Sequence, residues 1–398
     1  SYHYSPVMLV ALLFYGYATG ILSSRKLERN TYDSVAFRYI AANSHPDHDT
    51  IAAFRRRFLP ELTKIFTQIL EIASQMKVLK LGTVSLDGTK IKANASKHKA
   101  FSYDHALKLE GQLKTEVAEL LKQAEAADQA DIPDGMSIPE EIIRREERLK
   151  AIAEAKAEIE RRAALRHAAE QEAYEKKIAE RSEKEQKTGK KPKGFTPKPP
   201  TPGPTGKDQV NLTDSESRIM PSGRGFEQAY NAQATVDNTS MLIVADCISQ
   251  NPNDKQELKP AIDRIEALPR ELGVVDALIA DNGYFSETNV TSCEAKQIAP
   301  YIAPGREGHN QPLMERFAEP PPIPDDADCV ARMKYRLKTA AGKAIYATSK
   351  CTVEPVFGII KAVMGFRSFL LRGLELVTGE WKLVYIAWNL KRLHVLTR

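Results

Sequence analysis

The sequence predicts a mixed α/β core with helices appended at both ends. Three observations carry that expectation. Two short apolar runs, 79–87 and 274–281, have strand character, and each ends in an aspartate. Ala229 to Val236 and Ser240 to Ile248 read as a hairpin turned at Asp237-Asn238. Helical periodicity takes over at both ends of the chain. The order is three strands, a helix, two strands and helices, with a long insertion after the first strand.

Composition bounds the possibilities. The chain has 398 residues, 42% hydrophobic and 27% charged, the balance of an ordinary globular protein. That length suggests about two to three domain-sized units and excludes full-length disorder, collagen and a disulfide mini-scaffold. Cysteines 247, 293, 329 and 351 form no CxxC pair, which argues for a reducing compartment and against a zinc ribbon. The longest apolar run, 7–17, is broken by Gly16, too short for a bilayer and without a basic leader or small-residue cleavage site. Neither a membrane partner nor a signal peptide is expected. The net charge of +5 is uneven: residues 1–100 carry +7, residues 334–398 carry +9 and the middle carries −11. Two basic ends suit a protein that grips a polyanion, although solvated helix faces give the same count.

Taken in order, residues 5–77 read as helical, with Val7, Leu9, Val10, Leu13, Phe14 and Tyr17 at helical spacing. After the polar break Asn43-Ser44-His45-Pro46-Asp47, Asp49 or Thr50 is expected to cap a helix with Ile51, Phe54 and Phe58 on one face. Arg55, Arg56 and Arg57 are expected to project from its other side. A basic helix after a polar turn fits a helix-turn-helix that contacts DNA, and fits equally a small bundle with a solvated arginine cluster. The first strand follows at Val78. Residues 104–127 and about 139–187 then read as two long polar helices, with 29 of the 54 positions from 140 to 193 charged. Ile142, Leu149, Ile152 and Ile159 offer a weak seam for a helical hairpin or loose coiled coil, turned at 131–135. The proline-rich stretch 188–207 reads as an extended linker. Beyond the hairpin, Asn253 or Asp254 is expected to cap a helix bearing Leu258, Ile262 and Ile265. A short strand is expected near 298–302, a loop over 303–326 and helix from Ala344 onward. Trp381, Tyr385 and Trp388 recur at core spacing. The domain expectation is 1–77 helical and DNA-binding, 78–103 the first part of the core, 104–207 the charged insertion and linker, and 208–398 the rest of the core.

The chemistry rests on three acids. Asp87 and Asp281 end strands, where sites gather in open α/β sheets, although Asp-Gly and Asp-Asn-Gly are also ordinary turn signals. Glu354 starts a helix beside Pro355, among Val353, Val356, Phe357 and Ile360, with Lys361 about two turns on. Three carboxylates suit hard divalent cations and a two-metal phosphodiester site. No GxxxxGK[ST] loop or HExxH is present.

These residues resemble the bacterial insertion-sequence transposases of the DDE class. The N-terminal part, through Asp49-Thr50-Ile51-Ala52-Ala53-Phe54-Arg55-Arg56, is similar to the family's N-terminal helical domain. Leu86-Asp87-Gly88-Thr89-Lys90-Ile91-Lys92-Ala93-Asn94-Ala95-Ser96 resembles the segment of the first catalytic Asp. Ala229-Tyr230-Asn231-Ala232-Gln233 resembles the second-strand motif, and Ala280-Asp281-Asn282-Gly283-Tyr284 the segment of the second Asp. In the C-terminal signature (Tyr, two residues, Arg, three residues, Glu, six residues, Lys) Glu354 and Lys361 are in register, while Ala347 and Lys350 stand at the Tyr and Arg positions. Lysine cannot supply arginine's bidentate fork.

The resemblance implies an RNase H-like mixed sheet. It implies that Asp87, Asp281 and Glu354 bind two Mg²⁺ or Mn²⁺ ions and cut and join transposon ends by hydrolysis and transesterification. Lys361 would meet the cleaved strand's phosphate, and Lys350, Lys90 and Lys92 would be secondary phosphate contacts. Arg367 and Arg372 would meet DNA or solvent. The expected partners are double-stranded DNA, as element ends and target, and a second copy of the chain on that DNA. The expected location is the bacterial cytoplasm at the nucleoid. A catalytically inactive DNA-binding remnant is the alternative, motivated by Ala347 and Lys350. A scaffold built on the charged insertion is the third reading.

Overall fold

The computed structural model describes residues 4–96, 99–127, 138–189, 194–223, 225–305, 319–324 and 327–398. The chain forms two compact units, one of residues 1–94 and 218–398, the other of residues 95–217.

The first unit begins with five helices: α1 (Pro6–Thr19), α2 (Ser24–Asp33), α3 (Val35–Ile40), α4 (His48–Phe58) and α5 (Leu62–Gln75). Asp47, not Asp49 or Thr50, caps α4; its carboxylate accepts the Thr50 N–H at 2.8 Å. A cap needs extended backbone just outside the helix, and Asp47 has it. Leu9, Leu12, Leu13 and Tyr17 bury the inner face of α1. Among the described residues no single helix is long and apolar enough to cross a membrane.

The first strand, β1 (Leu81–Lys92), does not end at Asp87 but runs five residues past it. A long antiparallel partner extends it, so a turn-like Asp-Gly pair sits in mid-strand.

The second unit holds the insertion. Strands β2 (Ala100–Ser102) and β3 (Gln209–Asn211) pair with each other, and helices α6 (Tyr103–Ala127) and α7 (Ile138–Thr188) lie between them in sequence. Ala106, Leu113 and Ile152 pack together with Leu109 and Leu149, while Ala155, Ile159 and Val210 form a second small cluster. Ala163 is buried as well, and most other described side chains of both helices are exposed or half-buried. Glu110 bridges Lys114 and Lys156, and Arg166 grips Asp208 with two bonds of 2.8 and 2.9 Å. The expected turn at 131–135 lies outside the described residues.

The chain re-enters the first unit with β4 (Arg218–Ser222), β5 (Gly225–Asp237) and β6 (Ile243–Ser249), followed by helix α8 (Leu258–Glu266). Neither Asn253 nor Asp254 caps α8. Glu257 precedes it without a side-chain cap, and Asp254 starts the turn before it. Then come β7 (Gly273–Ala280), α9 (Glu287–Ala295) and β8 (Ala299–Ile302). The expected loop continues through the described residues to 324, with 306–318 outside them. Helix resumes earlier than Ala344, in α10 (Cys329–Lys338) and α11 (Ala340–Ala347), and closes the chain in α12 (Val353–Ala362) and α13 (Leu374–Leu396).

One sheet organises these elements. β5 lies antiparallel to β1, and β6 and β4 pair along successive lengths of β5. On the other side β7 and β8 run parallel to β1. The antiparallel strands β6, β5 and β1, continued by the parallel β7 and β8 and with β4 added along β5, make a six-stranded RNase H-like sheet with β1 central. Helix α13 packs beside α1, α5 and β6. Its Trp381, fully buried, meets Phe357, Phe366, Phe369 and Tyr385, which ties α12 and the segment after it to the core. Truncating an aromatic so placed costs about 3–5 kcal/mol.

Candidate active site

Strand register puts the first two acids side by side. Leu86 on β1 pairs with Ala280 on the parallel β7, and the next residues are Asp87 and Asp281. Parallel neighbours are about 4.8 Å apart, so residues nearly two hundred positions apart start from adjacent backbone. Each carboxylate also accepts a backbone N–H just after it, Asp281 as the cap of a short turn. Asp87 Oδ1 accepts the Gly88 N–H at 2.7 Å, and Asp281 Oδ1 accepts the Gly283 N–H at 2.8 Å.

Helix α12 brings the third acid and its lysine. Glu354 is the exposed residue of its first turn, between the buried Val353 and Val356, and close enough for its charge to act on Asp87. Lys361, half-buried, donates to Thr89 Oγ1 from the α12 side of β1. Burial raises the Asp87 carboxyl to about 7; Asp281, Asp254 and Glu354 add to the rise, and the Gly88 N–H opposes it. Burial lowers the Lys361 ammonium, against the pull of Asp87. Burial also raises Asp281, with Asp254 adding to the effect and Gly283 and Lys90 opposing it.

Asp254, expected only as a helix cap, belongs instead to the site's backing. Its Oδ1 accepts from Asn231 Nδ2 at 2.7 Å, Gln233 Nε2 at 2.8 Å and Lys90 Nζ at 3.1 Å. Side chains alternate along a strand, and Gly88 pairs with Gln233 while Lys90 pairs with Asn231. Asp254 therefore backs β1 on the face opposite Asp87 and Thr89. The buried Tyr284 hydroxyl donates to Gln233 Oε1, and Tyr385 donates to the Gln233 carbonyl at 2.9 Å. This close approach requires glycine at 88: a Cβ there would overlap Gln233 Nε2 and stand 2.8 Å from Asp254 Oδ1. Asn231, Gln233 and Thr235, polar at alternate positions among Tyr230, Ala232 and Ala234 of β5, were the available signal.

The other expected contacts are dispersed. Lys90 is held by Asp254, and Lys92 pairs with Glu227 at 2.9 Å. Arg56 and Arg57 are exposed on α4, but Arg55 does not project with them. It is 7% exposed and donates to the Tyr17 hydroxyl and the Leu22 carbonyl. The reason is helical phase: Arg55 follows the buried Ile51 by four residues and faces inward with it. Arg367 and Arg372 are exposed, their Nε atoms donating to the Lys361 and Asn94 carbonyls. The Lys350 side chain lies outside the described residues.

In donor type the acids fit a hard divalent cation. They offer oxygen only, and the charges that crowd Asp87 are those a bound cation would offset. Among the described residues, however, no group of three His, Cys, Asp or Glu side chains converges in ligating geometry. The aspartates are instead turned onto the backbone and polar donors named above.

Residues 196–390 match the family model of the transposase DDE domain, and residues 1–57 match a second family, also described as a transposase domain. No curated protein and no solved structure matches the chain.

Proposed function

From a chain that belongs to the insertion-sequence DDE transposases and so acts on DNA, we infer a reaction centred on Asp87, Asp281 and Glu354. These three would hold the divalent ions the family uses, two Mg²⁺ or Mn²⁺. Such ions activate an attacking oxygen and stabilise a leaving oxygen at a phosphodiester. Water attacks phosphorus at the element end, and the bond to the 3′ oxygen breaks. The freed 3′ hydroxyl then attacks a target phosphodiester and displaces another 3′ oxygen. No bond to the protein forms.

The chain's own residues supply placement. Asp87 and Asp281 fix one edge of the centre because they ride on paired parallel strands. Lys361, beside Thr89 and Asp87, carries the positive charge that a scissile phosphate meets. Asp254, Gln233 and Lys90 hold β1 from behind. The exposed Arg56, Arg57, Arg367 and Arg372 offer backbone contacts, which position DNA without reading its sequence. Joining two ends calls for a second copy of the chain on the DNA, and access to chromosomal ends calls for the cytoplasm at the nucleoid.

The observation that carries this reading is the Leu86–Ala280 pairing, which makes Asp87 and Asp281 neighbours. The test is strand cleavage of DNA bearing the element's ends in Mg²⁺. Asp281→Ala should abolish cleavage and leave binding largely intact. Cleavage at the wild-type rate by that variant would discard the assignment. Binding without cleavage by the unaltered chain would favour an inactive DNA-binding remnant.

A further inference from the structure

Lys361 and Lys90 both stand at the carboxylate centre, but the fold treats them differently. Lys361 reaches Thr89 from the α12 side of β1. Lys90, on the opposite face, is drawn onto Asp254, with Nζ 3.1 Å from Oδ1. The two side chains are 21% and 24% exposed, so neither is a loose surface group.

Asp254 is fixed from several directions. The stretch that carries it is tied by the buried Glu257, whose Oε1 accepts from Ser249 Oγ and from Asn251 Nδ2 at 2.7 Å each. Asn289, buried on α9, donates to the carbonyls of Lys255 and Tyr284 at 2.8 and 2.7 Å, and so clamps that stretch to the turn after Asp281. Asn231 and Gln233 share Oδ1 with Lys90. The carboxylate therefore borders both glycines whose N–H groups Asp87 and Asp281 accept. A Cβ on Gly88 would stand 2.8 Å from Asp254 Oδ1, and one on Gly283 would stand 3.8 Å from Oδ2.

An ammonium at this place is a rival for any cation bound nearby. Lysine is a compact charge on a flexible stem, so once released it settles on an unpaired carboxylate within reach. Lys90 is already felt at Asp281. Burial raises the Asp281 carboxyl and the Gly283 N–H lowers it; next come Asp254, which raises it, and Lys90, which lowers it.

We propose that Asp254 is a positioning residue that withholds Lys90 from Asp87 and Asp281, and so keeps those carboxylates available to divalent cations. This role rests on Asp87 and Asp281 being the cation-binding pair.

The test titrates the full chain with Mn²⁺ in the absence of DNA and reads free Mn²⁺ by its electron paramagnetic resonance signal, so that cleavage does not enter. Asp254→Asn keeps the shape and an oxygen acceptor for Asn231 and Gln233 but releases Lys90. It should bind Mn²⁺ about tenfold more weakly than wild type, the effect usual for a residue acting behind a metal ligand. Adding Lys90→Met removes the rival charge and should restore wild-type affinity, which repair of a merely structural defect would not do. Lys90→Met alone should bind Mn²⁺ no more weakly than wild type. A double variant that binds no better than Asp254→Asn overturns the proposal. Asp87→Asn checks the centre separately. Weakened binding by Asp87→Asn with undiminished binding by Asp254→Asn overturns the role of Asp254 alone. Wild-type affinity in Asp87→Asn overturns the cation centre, and this role with it.

Discussion

Gly88→Ala tests whether the back of β1 sets the front. The added Cβ would overlap Gln233 Nε2 and approach Asp254 Oδ1 to 2.8 Å. Gln233 is 1% exposed, and its carboxamide is fixed by Tyr284, Asn231 and Asp254. If the carboxamide swings away, the Tyr284 hydroxyl and Asn231 lose a buried partner, at about 1–3 kcal/mol for each group left unsatisfied. If the strand yields instead, Asp87 moves relative to Asp281, and a displacement near 1 Å costs on the order of 10²-fold in rate. The expected result is a loss of about 3 kcal/mol in urea denaturation and cleavage of element-end DNA down roughly 10²-fold. Adding Gln233→Ala should relieve the overlap and recover more than about 1 kcal/mol against additivity. Wild-type stability and cleavage in the single variant would refute the reasoning, as would strict additivity in the pair.

Three further outcomes follow from the same contacts. Lys361→Met removes the cation beside Asp87 and the donor to Thr89, and should cut cleavage by about 10²-fold while duplex binding in a gel-shift titration changes less than tenfold. Divalent cations should stabilise the wild type by about 2.7 kcal/mol at a hundredfold excess over the dissociation constant, read as a rise in Tm with Mg²⁺ or Mn²⁺ that Asp87→Asn loses. Tyr17→Phe withdraws the hydroxyl shared by Glu380 and Arg55, and should lower unfolding free energy by about 1–3 kcal/mol in urea denaturation.

Local pattern sufficed where the signal itself is local. The two polar helices expected near 104–127 and 139–187 span Tyr103–Ala127 and Ile138–Thr188, because charge density and spacing alone set a solvated helix. The β5–β6 hairpin and strands β7 and β8 were legible from apolar runs and turn residues. Trp381 and Tyr385 were legible as core from their spacing. Aspartates 87 and 281 stood out because each follows an apolar run and precedes glycine or asparagine-glycine.

Pairing and phase between distant segments were not legible. That β1 continues past Asp87 depends on β5, almost one hundred and fifty residues later, offering its edge as far as Lys92 opposite Ala229. Arg55 looks like its exposed neighbours until α1 and α13 close over it and hand it Tyr17 and, beyond that, Glu380. Asp254 looks like a helix cap until Lys90, Asn231 and Gln233 converge on one of its oxygens. The sequence by itself determined the long helices, the core strands β5 to β8, the charge of the insertion and the identity of the acids, since these follow from short-range spacing, but not the short strands β2 to β4 or the helix from Cys329. Tertiary structure alone decided which acids meet, which lysine stands beside them and which arginine is withdrawn, since those depend on strand register and helix packing across the whole chain.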